Sequence, residues 1–161
     1  MDVVMSSSGL VQLGVVFRDE IGNVLASAIK CIFGSWISDI SEALAIAFGL
    51  RLVVELSFPH IIAESNCQHL IGLLQAKETP HSPLGYVIQD CIEWSHLLNH
   101  CSWSFTKRSG NFVAPALAEL DDFSYAKQEY VWIEDILMLF LLFLPLTCLC
   151  FSNDVSCFYL V

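Results

Sequence analysis

Residues 38–76 read SDISEALAIAFGLRLVVELSFPHIIAESNCQHLIGLLQA, and this stretch decides the fold class. Its first half, Ser38–Leu56, carries an apolar stripe at helical spacing, with Ser38 or Ser41 placed to cap its start. Phe58-Pro59 breaks that helix, and the short apolar run His60–Ala63 reads as a fully buried strand. Asn66–Ala76 returns to helical spacing. A strand flanked by helices is reached by crossovers, so it belongs to a parallel part of a sheet.

Upstream, Leu10–Arg18 (LVQLGVVFR) and Val24–Phe33 (VLASAIKCIF) are strand-like runs joined by Asp19-Glu20-Ile21-Gly22-Asn23. Asp, Gly and Asn are the residues a hairpin turn needs, so these strands pair antiparallel. Downstream, Pro80–Pro83 is a loop and Leu84–Leu98 a helix; Trp103–Thr106 is a further strand and Asn111–Lys127 a last helix. The sum is an α/β fold. It has a mixed five-stranded sheet, three strands antiparallel and two parallel, with helices on both faces and a truncated first strand.

The chain has 161 residues, 55% of them apolar and 15% charged, with a net charge of −10. That composition excludes a disordered or fibrous chain. An acidic chain has no overall field to attract phosphate backbones, so nucleic-acid binding must come from a local patch or bound cations. Seven cysteines without a CxxC pair read as reduced thiols. Asp2 and Ser6–Ser8 interrupt the one candidate signal peptide, which points to an intracellular protein of nucleus or cytoplasm, not a secreted one. Ile136–Phe151 is a sixteen-residue run without charge, short of the roughly 20 a spanning helix needs and interrupted by Pro145. The expected organisation is one domain over 1–135 and a hydrophobic tail over 136–161. A membrane contact would be made through that tail.

Four segments carry a resemblance: GVVFRDEIGNVLAS (Gly14–Ser27), SEALAIAFGLRLVVELSF (Ser41–Phe58), IIAESNCQHLIGLL (Ile61–Leu74) and KRSGNFVAPALAEL (Lys107–Leu120). In this order and at these separations they resemble the ribonuclease H-like, reverse-transcriptase-like domains abundant in plants. The resemblance runs from about Asp2 to Asp135, with YVWIEDI (Tyr130–Ile136) similar to the family's end. It implies hydrolysis of the RNA strand of an RNA–DNA hybrid, with two Mg²⁺ ions activating water and stabilising the leaving oxygen. Hard cations crowded together need several carboxylates. The family draws them from its first strand, its first helix, the end of its fourth strand and the first turn of its last helix.

Carried onto this chain, Asp2 falls on the first-strand carboxylate and Glu42, in SEALA, on the helix carboxylate. Asn66 stands where the family has a fourth-strand aspartate, Pro115 where it has an acid or histidine, and Phe105 where it has a histidine that assists proton movement. Asp2, Glu42 and Asn66 are thus the candidate Mg²⁺ ligands. An amide oxygen binds hard cations but does not offset their mutual repulsion. Pro115 starts a helix comfortably without being a ligand, and Phe105 reads as core packing. Losses within one cooperating catalytic set cost orders of magnitude, so nuclease activity is expected to be weak or lost. Lys107, Arg108 and Asn111 are the candidate nucleic-acid contacts, with Lys30 and Arg51 as scattered cations. His96 and His100 on one helix, beside Cys91 and Cys101, form a weak zinc pattern. Two readings stay open: a monomeric ribonuclease H-type domain binding RNA–DNA hybrids, degraded in catalysis, or a non-catalytic interaction module. A fragmentary product of a retrotransposon-derived frame fits either.

Overall fold

The computed structural model describes residues 10–34, 38–107, 129–133 and 156–160. Strands β1 (Leu10–Arg18) and β2 (Val24–Phe33) form the expected antiparallel hairpin. The turn is closed by Asp19, whose carboxylate accepts the backbone N–H of Ile21 at 3.1 Å, that of Asn23 at 2.8 Å and the Asn23 amide at 2.8 Å. A short side chain that satisfies its own turn's donors sets the hairpin register locally. Gly22 takes the positive φ of 90° that this turn requires.

Helix α1 (Ser38–Glu55) follows. Ser38 is its first residue, whereas Ser41 lies inside the helix with a buried, unpartnered hydroxyl, so Ser41 is not a cap. The helix stops at Ser57, which takes a left-handed φ of 62°. There the Phe58 N–H bonds back to the Val53 carbonyl (3.0 Å) and the Ser57 N–H to that of Val54 (3.2 Å). The Phe58 ring then packs on Phe17 of β1, with centroids 5.9 Å apart.

Strand β3 (His60–Ser65) buries alternate residues, and α2 (Gln68–Ala76) and α3 (Pro83–Ser95) lead to β4 (His100–Phe105), parallel to β3 as expected. The three helices touch one another and so share one layer. The helix expected over Asn111–Lys127 lies outside the described residues. Gly85 lets α3 approach the preceding loop: a Cβ there would stand 1.8 Å from the Pro80 carbonyl oxygen. The core between sheet and helices is built from Val11, Val15 and Phe17 of β1, Ile46 and Leu50 of α1, and Ile61 of β3.

The mixed α/β sheet is as expected, but it has six strands among the described residues, in the order β4-β3-β6-β1-β2-β5. β5 (Glu129–Ile133) adds antiparallel to β2, and β6 (Ser156–Leu160) lies between β1 and β3. Among the described residues, the further antiparallel partners of the hairpin come from beyond α3. β6 also belongs to the stretch read from sequence as a tail. Its SCFYL pattern was masked there by the apolar run before it. No helix among the described residues is long and apolar enough to cross a membrane. Ile136–Phe151 lies outside them.

Candidate functional site

One end of the sheet gathers the sequence-predicted positions that the structure describes. Ser65 ends β3, Asn66 follows it, and Phe105 of β4 stands opposite Ser65 in the parallel register. Glu42 comes down onto this end from the first turns of α1, because Ser65 and Glu42 are both turned into the layer between sheet and helix. The Ser65 hydroxyl donates to Glu42 Oε2 at 3.1 Å and accepts the Cys67 N–H at 3.1 Å. A single hydroxyl thus ends β3, starts the turn into α2 and holds the carboxylate.

Glu42 is 7% exposed. Burial pushes its carboxyl up to about 7, against the Ser65 hydrogen bond, which favours the charged form; the neighbouring Asp39 charge adds to the rise. Asp39, one turn earlier on α1, accepts the Cys67 thiol at 3.8 Å and pairs with His69 Nδ1 at 2.8 Å. These contacts fasten the first turn of α1 to the first turn of α2. Sequence reasoning missed Asp39, Cys67 and His69. The signal available was the i, i+3 spacing of Asp39 and Glu42, which puts both acids on one helix face. The Cys67 thiol is raised chiefly by burial, so it is no activated nucleophile.

Phe105 is 42% exposed, which corrects its reading as core packing: among the described residues β4 is an edge strand, and Phe105 is its last residue. Lys107, two residues further, is exposed at the same end of the sheet. Asp2, Arg108, Asn111 and Pro115 lie outside the described residues. Lys30 and Arg51 are not free cations. Arg51 bonds Glu55 at 2.7 Å and Glu129, Lys30 pairs with Glu129 at 4.0 Å, and both stack on the Phe48 ring. They tie α1 and β2 to edge strand β5. The zinc pattern also dissolves. His96 caps α3 while His100 opens β4, so the two never share a helix face. The Cys91 thiol is raised by burial and that of Cys101 is pushed to about 12 by burial, which keeps both protonated.

The fit of a Mg²⁺ pair follows from this donor set. Of the ligand positions expected from the sequence, the structure describes Glu42, a buried carboxylate held by a hydroxyl, Asn66, a neutral amide, and Phe105, whose ring offers no ligand atom. Their combined charge at neutral pH falls short of what two adjacent divalent cations need, so they do not fit a metal pair. Among the described residues no group of three His, Cys, Asp or Glu is arranged to hold a metal ion.

Comparison with known proteins agrees with the fold. No curated protein matches the chain. The crystal structure of RNase H1 from the halophilic archaeon Halobacterium salinarum NRC-1 superposes with a TM-score of 0.64 at 20% identity, covering 70% of this chain and 86% of that one. The N-terminal RNase H domain of a Mycobacterium tuberculosis protein, solved as a fusion with maltose binding protein, gives a TM-score of 0.53 at 13% identity. It covers 66% of this chain and 93% of that one. These likenesses establish the fold. The family profile described as reverse transcriptase-like matches residues 1–120, about three quarters of the sequence. With that match over a ribonuclease H-like sheet, the chain belongs to the reverse transcriptase-like family.

Proposed function

We propose that this domain is a nucleic-acid-binding module of ribonuclease H type, meeting an RNA–DNA hybrid at the β3–β4 end of its sheet, with hydrolysis at or near background. The observation that carries this reading is the donor set at that end: Glu42 is buried and held by the Ser65 hydroxyl, and the residue that follows Ser65 is the neutral amide Asn66. Two adjacent divalent cations need several carboxylates, and an amide in place of one supplies an oxygen without the charge. Lys107 supplies an exposed cation at the same end for a phosphate contact. One such contact in a chain of net charge −10 supports weak, salt-sensitive binding. A cleavage assay on a labelled RNA–DNA hybrid with Mg²⁺ or Mn²⁺ tests the reading. Cleavage at the no-enzyme rate is expected, and turnover comparable to an intact relative refutes it.

A further inference from the structure

We infer that Phe105 and Lys107 form a nucleotide subsite for single-stranded nucleic acid, the Phe105 ring stacking on an unpaired base and the Lys107 ammonium taking a phosphate beside it. The inference rests on the proposed nucleic-acid binding and names the strand form that this end accepts. Exposed apolar side chains occur singly on any protein surface, as Ile21, Phe33, Tyr86, Leu97 and Val131 do here. Phe105 differs in its place. It stands opposite Ser65 in the parallel register, and such partners share a face of the sheet. Ser65 is turned toward Glu42, so the ring lies on the face, and at the end, that carries the candidate site.

The backbone beneath the ring is held. The Thr106 N–H donates to the Ser65 carbonyl at 3.0 Å, so pairing with β3 continues past Phe105. Two residues back on the same face, Trp103 packs against the core, and its carbonyl accepts the Gln75 side-chain amide of α2 at 2.9 Å. The ring therefore receives a base without a loop having to be ordered first. Negative charge nearby is already engaged: Asp39 pairs with His69 at 2.8 Å, and Glu42 is buried against the Ser65 hydroxyl. Lys107 is exposed, and the ion pairs of the described residues fall on Lys30, Arg51 and His69 instead. Two residues of extended chain span at most about 7 Å, which puts ring and ammonium within reach of one base and a neighbouring phosphate. Inside a duplex each base is covered by its neighbours, whereas an unpaired base has a free face for an aromatic side chain. A phenyl ring has no hydrogen-bonding group, so this subsite takes any base.

Fluorescence anisotropy of the full chain tests it, with a labelled oligouridylate of about ten nucleotides, the same oligomer made abasic, and a blunt RNA–DNA hybrid. The parent is expected to bind the oligouridylate at least severalfold tighter than the abasic oligomer. Phe105→Leu keeps the apolar bulk and loses the aromatic face. It is expected to weaken oligouridylate binding by roughly fivefold to a hundredfold and to leave abasic binding unchanged, while Phe105→Tyr stays within about twofold of the parent. Lys107→Ala is expected to flatten the slope of log affinity against log salt by about 0.7 on both oligomers. Parent-like oligouridylate binding by Phe105→Leu, or an equal loss in the Leu and Tyr variants, overturns the stacking contact. An unchanged salt slope in Lys107→Ala overturns the phosphate contact. If either occurs while the parent binds the hybrid without cleaving it, the functional reading stands and the subsite alone is refuted. A parent that binds neither hybrid nor oligomer refutes both.

Discussion

Burial raises the Glu42 carboxyl above the ordinary glutamate range. Its folded-state value of about 7 lies above the ordinary 4.5, so between those values the native chain binds the proton and the unfolded chain does not. Stability from this group is therefore complete below pH 4.5 and falls as pH rises through about 7. The loss is on the order of 3 kcal/mol at most. Glu42→Gln keeps the Ser65 contact and has no charge to bury. Denaturant unfolding of both proteins from pH 4 to 8 should show the variant gaining stability over the parent as pH rises; parallel pH profiles contradict the account. Glu42 was legible in the sequence as a site position through the motif around it. Its burial and its Ser65 partner were not, because they depend on how far α1 sinks onto the end of β3. Asn66 carries its meaning in its identity alone: an amide cannot supply charge wherever the fold places it.

At the scale of elements, legibility followed how local the determining forces were. The β1–β2 hairpin was readable because Asp19 satisfies the turn donors within four residues of itself. The existence of α1, α2, α3, β3 and β4 was readable from periodicity, with ends displaced by a few residues where caps decide. Ser41 was misassigned as a cap because the helix begins one turn earlier, and His96 and His100 were misassigned to one helix because α3 stops at Ser95. Gly85 gave no sequence signal, yet its missing Cβ is what admits the Pro80 carbonyl. Gly85→Ala should shift that loop or the start of α3 and cost about 2 kcal/mol or more, despite the better helix propensity of alanine. Thermal unfolding checks this, and an unchanged or raised Tm shows that the loop gives way freely.

Across the whole molecule, the fold class was legible and the composition of its centre was not. β6 sits 91 residues from β3 in sequence at their closest, counting Ser65 to Ser156, and such distant pairings leave no local mark on either segment. The same holds for Arg51 and Glu129, which meet across 78 residues to hold β5 against α1. Both scattered cations of the sequence reading were absorbed by that contact, leaving Lys107 as the described cation at the β3–β4 end. On the proposed reading, the β3–β4 end of this ribonuclease H-like sheet offers a hydroxyl-held acid, an amide and a ring where a metal pair would need charge. A calorimetric titration of the full chain with Mg²⁺ at neutral pH tests that claim most directly. The account predicts no saturable uptake of a metal pair and no difference between the parent and Glu42→Gln. Saturable binding of two ions per chain, abolished in Glu42→Gln, would contradict it.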